Sequence, residues 1–288
     1  MSPKESNEAR SSRSAAFAVA QFVALGAFVA ILVPFLQHVR DRSYYREIVY
    51  ALKFSPDCSL LARSSTEGLA LFDTASGRLK TVVGPEAAEV VFSPDSRWLV
   101  SGNWNGLVTV WDVATGKRVA DLRAHTTTIT GIAFSPDGKT LATASEDGTV
   151  CLWDLESTGS PMTWHHDGQV DSVAFSPDGK TLATGGEDST TRDNVIKLWD
   201  SVTRELRCEV RGLGRGYVRW MAFSPDSKIL ATTTVDDGDV GLFDAATSNR
   251  ITTLRGQADR YGTGFMSEPV FSKDGKLLAL IKFTTIVI

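Results

Sequence analysis

From Ile48 onward, apolar and small residues alternate over short runs, and each run is broken by a polar turn. The clearest instance lies between Ile132 and Asp154. Ile132 and Phe134 alternate with small residues, and Ser135-Pro136-Asp137-Gly138 interrupts them. The alternation resumes at Leu141 and stops at Glu146-Asp147-Gly148, after which Val150, Leu152 and Trp153 follow. A period of two predicts strands with one face buried, and Pro136 presets a turn φ without removing a ladder hydrogen bond. The expectation is therefore three short antiparallel strands joined by tight turns. Ahead of this region the pattern is different. Residues 1–14 are polar and small and read as a disordered tail, residues 15–36 form an apolar run broken by Gln21, Gly26 and Pro34, and residues 37–47 read as a linker.

The strand-turn-strand string recurs. Phe-Ser-Pro-Asp stands at Phe54–Asp57, Phe92–Asp95, Phe134–Asp137, Phe175–Asp178 and Phe223–Asp226, with a variant at Phe271-Ser272-Lys273-Asp274, so the period is about forty residues. An aromatic-Asp pair follows five of the copies at Phe72-Asp73, Trp111-Asp112, Trp153-Asp154, Trp199-Asp200 and Phe243-Asp244. On these strings residues 48–288 resemble the WD40 repeat family, whose repeats each supply one four-stranded propeller blade. The resemblance implies an all-β, WD40-type β-propeller, here incomplete, with five blades and part of a sixth, preceded by one hydrophobic helix. After Asp274 the chain offers one apolar strand near Leu277 to Phe283. The expected object is therefore an open arc with strand edges at both ends, either a fragment of a longer product or a shape completed through self-association or a partner.

The resemblance also implies roles for particular residues. Members of the family carry a hydrogen-bonded tetrad of His, Ser or Thr, Asp and Trp. The third repeat matches it with His125, Thr143 or Ser145, Asp147 and Trp153, and the fourth offers His166, Asp188 and Trp199 with extra residues around Ser189 to Asn194. In other copies Gly214 replaces the His, Asn105 the Asp, and Phe72 and Phe243 the Trp, so those blades are expected to rest on packing alone. Family members bind peptides and proteins through loops on one face. Carried over by position, the contacts fall on Thr128 and Thr130, Gln169 and Asp171, Tyr217 and Arg219, and on Trp104, Glu146 and Glu187 before the second turn. Trp104, Tyr217 and Arg219 stand out because aromatic and Arg side chains dominate interface hot spots.

Composition narrows the function. A net charge of -4 argues against a general phosphate-backbone binder, so no nucleic acid is expected. Cys58, Cys151 and Cys208 are widely spaced and form no CxxC pair, His165-His166-Asp167 lacks further ligands, and Asp236-Asp237-Gly238-Asp239 lacks the ligand spacing of a calcium loop. No metal or cofactor is expected, and the His-Asp-Ser groupings recur with an indole as repeat chemistry rather than as a nucleophile beside an oxyanion hole. The run 15–36 is long enough to span a bilayer and reads as an uncleaved single-pass anchor, with a cleavable signal peptide and a buried helix as the alternatives. Lys4, Arg10 and Arg13 before it balance Arg40, Arg42 and Arg46 after it, which leaves the side of the propeller open. The function expected is a membrane-anchored, non-enzymatic scaffold that binds protein or peptide partners. The alternative is an accessory or sensor module of a larger enzyme or signalling system.

Overall fold

The computed structural model describes residues 48–156, 160–211, 213, 218–234, 239–254, 268–282 and 285–287. The first sheet pairs β1 (Val49–Phe54), β2 (Leu60–Ser65), β3 (Gly68–Asp73) and β4 (Leu79–Gly84) in that order. The second contains β5 (Glu89–Phe92), β6 (Trp98–Gly102), β7 (Leu107–Asp112) and β8 (Arg118–Arg123). The third contains β9 (Ile129–Phe134), β10 (Thr140–Ser145), β11 (Thr149–Asp154) and β12 (Met162–His165), and the fourth β13 (Val170–Phe175), β14 (Thr181–Glu187), β15 (Asn194–Asp200) and β16 (Leu206–Val210). β17 (Val218–Phe223), β18 (Ile229–Thr234), β19 (Val240–Asp244) and β20 (Arg250–Leu254) make the fifth, and β21 (Val270–Phe271), β22 (Leu278–Lys282) and β23 (Thr285–Val287) the last, of three strands. β22 lies in the stretch Leu277 to Phe283 where a strand was expected, and β23 beyond it pairs antiparallel with β22. The anchor, tail and linker over 1–47 lie outside the described residues; among those described, no helix is long and apolar enough to cross a membrane.

One turn recurs between the first two strands of every sheet, and its chemistry explains the Ser-Pro-Asp string. In the third sheet the Ser135 hydroxyl donates to Asp137 Oδ1 at 2.6 Å, Ser135 Oγ accepts the Thr140 N–H at 2.9 Å, and Asp137 Oδ1 accepts the Lys139 N–H at 3.0 Å. Ser55, Ser93, Ser176, Ser224 and Ser272 make the same hydroxyl-carboxylate bond. The residue after the Asp is left-handed in all six, at Cys58, Ser96, Gly138, Gly179, Ser227 and Gly275. Glycine suits that conformation, and a Ser there is strained but supplies a hydroxyl. Ser96 and Ser227 accept the N–H of Asp57 and Asp178 in the turns of other sheets, at 3.3 and 3.0 Å.

The core sits between sheets, not within them. Leu141 and Trp153 turn one way, to pack with Val100, Val108 and Ile129. Their chain neighbours Ala142 and Leu152 turn the other way, to Val170, Val173, Leu182 and Trp199. Equivalent clusters join the first sheet to the second through Leu69, Leu71, Leu99 and Trp111, the fourth to the fifth through Ile196, Leu198, Leu230 and Phe243, and the fifth to the last through Ala231, Val240 and Leu280. Each large side chain so covered contributes roughly 1.5–3 kcal/mol.

Two features bear on the expected open arc. The side chain of Lys53 on β1 pairs with Glu268, just before β21, an ion pair between the beginning and the end of the described sheets. On the outward face of the first sheet Leu61, Arg63 and Ala70 are buried, but Leu52 is 36% accessible, whereas Val90, Val173 and Met221 at the equivalent place in other sheets are 1%, 8% and 4%. Leu79 and Val82 extend the same apolar face.

Where sheets approach closely, side-chain volume is limiting. A Cβ on Gly102 would lie 2.4 Å from Cγ2 of fully buried Ile129. Gly102→Ala is expected to destabilise the fold by about 1–3 kcal/mol, through overpacking between the second and third sheets. Urea unfolding should show a lower midpoint at unchanged slope.

Candidate functional site

In an antiparallel sheet the start of the first strand lies beside the turn joining the second and third. The N–H groups of Thr66, Glu146 and Glu187 accordingly donate to the carbonyls of Ile48, Thr128 and Gln169. These starts and turns therefore gather on one end of the sheets, the loop face, opposite the Ser-Pro-Asp turns.

Beneath this face the third sheet carries a continuous chain of hydrogen bonds. Trp153 Nε1 donates to Thr143 Oγ1 at 3.0 Å, and Thr143 Oγ1 lies 2.7 Å from His125 Nε2. His125 Nδ1 is 2.8 Å from Thr149 Oγ1, which donates to Asp147 Oδ1 at 2.5 Å. Because the Thr149 hydroxyl donates to Asp147, it must accept from His125, which places a proton on Nδ1. Burial lowers the His125 pKa, against the opposing pull of Asp147. Burial raises the Asp147 carboxyl, but the Thr149 hydroxyl and the N–H groups of Thr126 and Thr149 outweigh it and hold the carboxyl below its ordinary value. Thr143 fills the Ser/Thr place, and Ser145 instead contacts Thr127. Thr149 was not expected from the sequence. Its signal was its place two residues after the turn Asp.

The fourth sheet departs from this arrangement. His166 Nε2 and Trp199 Nε1 both meet Thr184 Oγ1, at 2.8 and 2.9 Å, and Trp199 stacks on Trp164 at 4.5 Å. Asp188 is directed elsewhere. Its Oδ1 accepts the N–H groups of Thr190 and Thr191 in the lengthened turn, and its Oδ2 accepts Arg211 at 2.8 Å. Burial, with Lys197 nearby, lowers the His166 pKa to about 4.

The sheets with substituted positions do not rest on packing alone. Trp111 donates to Ser101 at 2.8 Å, and Asn103 Oδ1 accepts the N–H groups of Asn105 and Leu107 at 3.2 and 2.9 Å. In the first sheet Arg63 stands at the Thr143 place. Its guanidinium lies 5.0 Å from the Phe72 ring centroid and 3.5 Å from Glu67 in the turn. A cation on an aromatic face here replaces the indole-hydroxyl bond. In the fifth sheet Arg250 lies 5.5 Å from the ring centroid of buried Phe243.

The positions expected to contact partners fall into distinct environments. Trp104 is 41% accessible and packs edge-on against Tyr50 of the first sheet at 4.8 Å, rather than over its own sheet. Tyr50 was not singled out, although it occupies in the first repeat the place of Thr130, Asp171 and Arg219. Glu146 is exposed, Thr128 half-buried, and Thr130 spends its hydroxyl on the Val170 carbonyl of the next sheet at 2.6 Å. Gln169 donates to Asp171 Oδ1 at 3.0 Å, and Glu187 meets Arg192 at 3.4 Å. Arg219 is exposed over Trp220, 4.9 Å from the ring centroid. Tyr217, like Gly214, lies outside the described residues.

Inner-strand charges make a second group. Burial pushes the Glu89 carboxyl up to about 7; Glu268 adds to this, while Lys53 and Arg219 oppose it. Of the three thiols Cys151 is buried and Cys58 exposed, and all are free. No trio of His, Cys, Asp or Glu arranged to hold a metal occurs among the described residues.

The family described as WD domain, G-beta repeat matches residues 79–112, 116–154, 159–200 and 208–244. Each matched segment begins on or just before the outer strand of one sheet and ends on the third strand of the next. No curated protein matches the chain.

Two outcomes are expected. Thr143→Val strands both the Trp153 N–H and His125, whereas Ser101→Ala strands the Trp111 N–H alone. At about 1–3 kcal/mol per unsatisfied buried group, the first variant should lose about twice the stability of the second in urea titrations. A carboxyl held above its unfolded pKa contributes stability fully below the unfolded value and loses it as pH rises through the folded one. Glu89→Gln should therefore exceed the parent in stability by a margin that opens above about pH 4.5 and levels off near pH 7, as read by melting temperature across pH.

Proposed function

Because this chain belongs to the WD40 repeat family, with matched segments covering more than half of it, we propose that its loop face docks protein or peptide partners and that it works as a non-enzymatic scaffold. The observation that carries this reading is the pair Tyr50 and Trp104. Two large aromatic side chains from different sheets meet at the loop face with over a third of each surface open to solvent. Aromatic area already ordered in this way needs little further loss of rotamer freedom on binding, which favours it as an anchor. Arg219, held over Trp220, adds an exposed guanidinium to the same face. The hydrogen-bonded side chains beneath are occupied with one another, which suits a rigid platform. The apolar run over 15–36 supports a further part of the reading, that the scaffold is tethered to a bilayer as a single-pass protein.

Chemical crosslinking of the full chain in the cells that express it, followed by recovery through a tag, tests the docking surface. Trp104→Ala should reduce recovered partner by about tenfold or more, as expected for loss of a hot-spot residue, while Lys117→Ala at the opposite end leaves recovery unchanged. Equal recovery from both variants would reject the loop face. The tether is tested by alkaline carbonate extraction: the parent should stay with membranes, and a variant with Ser and Gln across 15–36 should be released.

A further inference from the structure

The loop face has two sectors of different chemistry. Over the first and second sheets it is apolar and aromatic, with Ile48, Val49, Tyr50 and Trp104 all exposed. Over the third and fourth it is acidic. Glu146 and Glu187 occupy equivalent places at their second turns, and Asp171 stands at the start of the inner strand next to both. The carboxylates are close enough to act on one another: burial, then Glu187 and Glu146, push the Asp171 carboxyl up to about 7, against the Gln169 amide. Gln169 donates to Asp171 Oδ1 at 3.0 Å and the Val218 N–H also acts on the carboxylate, while Oδ2 is enclosed without a hydrogen bond of good geometry among the described residues. Among those residues no cation lies within ion-pair distance of Asp171 or Glu146, and the nearby Arg192 is engaged with Glu187. Arg219 acts on Glu89.

We propose that the partner of this face is a basic peptide segment with an aromatic or aliphatic anchor, the anchor packing on Tyr50 and Trp104 and a Lys or Arg side chain reaching the carboxylates of Asp171, Glu146 and Glu187. The proposal rests on the docking reading above and gives its partner a chemistry. A guest guanidinium or ammonium meets the accessible carboxylates of Glu146 and Glu187, with enclosed Asp171 adding its charge from beneath, and the carboxylates' mutual repulsion becomes attraction for the guest. An acidic guest would meet that repulsion undiminished, so the same sector selects against it. Anchor and cation stand on different sheets, so an extended segment is needed to engage both, and short basic ions alone bind weakly.

The full chain in detergent, immobilised by its N-terminus, is to be panned against a random dodecapeptide display library. Enriched peptides should combine Lys or Arg with Trp, Phe or Leu. A synthetic copy of one such peptide is then titrated against the parent and variants. Trp104→Ala and Asp171→Asn should each weaken it about tenfold or more, Glu146→Lys more strongly still, and Lys117→Ala not at all. Glu146 is exposed, so its variant keeps the parent's melting temperature and near-ultraviolet dichroism, and remains informative if Asp171→Asn fails to fold. Affinity for the parent should fall with added salt. Enrichment of acidic or uncharged peptides that still depend on Trp104 would overturn the basic-partner inference while leaving the docking surface standing. Peptides indifferent to Trp104, or none enriched over the bare support, would remove both.

Discussion

Every sheet of this protein is apolar on both faces, and neither face can be covered from within the sheet. Leu141 and Trp153 need the second sheet; Ala142 and Leu152, one residue along, need the fourth. Burial between sheets is thus the interaction on which the rest depends. It fixes the spacing of the sheets and requires glycine where a strand comes too near, as at Gly102 against Ile129 and Gly185 against Val218. It also brings the second turns and inner-strand starts of successive sheets onto one face, so that Trp104 of one sheet can lie against Tyr50 of another.

Polar groups trapped by this packing are satisfied by chains with a direction. Trp153 donates into Thr143, and Asp147 accepts from Thr149, which orients the His125 Nδ1 proton towards Thr149. The other sheets solve the same problem with other chemistry. Arg63 covers Phe72 and reaches Glu67, so one cation does the work of a hydroxyl and an imidazole. Asp188 is drawn off by the lengthened turn and by Arg211, and His166 remains with Thr184. The repeats are therefore equivalent in backbone and divergent in the bonds that hold them.

What was legible in the sequence follows this division. The strands were legible because alternation is a backbone-level signal, and the Ser-Pro-Asp turn because its bonds are local in sequence. The placing of Thr143, Trp153 and His125 together could be read because the third repeat keeps every residue type. Arg63 could not be read this way, since its substitution changes the class of interaction and a guanidinium over a ring leaves no spacing signature. The displacement of Asp188 depends on Arg211, which comes from the following strand pair. The Tyr50–Trp104 contact joins two repeats, so no inspection of either repeat alone reveals it. The ion pair between Lys53 and Glu268 is more distant still and leaves no local signature.

The offset between repeat and sheet, each matched segment carrying the outer strand of one sheet and the inner three of the next, has a consequence for synthesis. A nascent chain emerging from the ribosome completes no sheet with the residues of one repeat. It holds three strands with an open edge, and an apolar face without its neighbour, until the following repeat begins to appear. This vulnerable state recurs once per repeat rather than once per domain, and each recurrence offers an unpaired edge to other chains. Slow translation across a repeat boundary prolongs that exposure, so the codons just before each outer strand bear on the yield of folded protein.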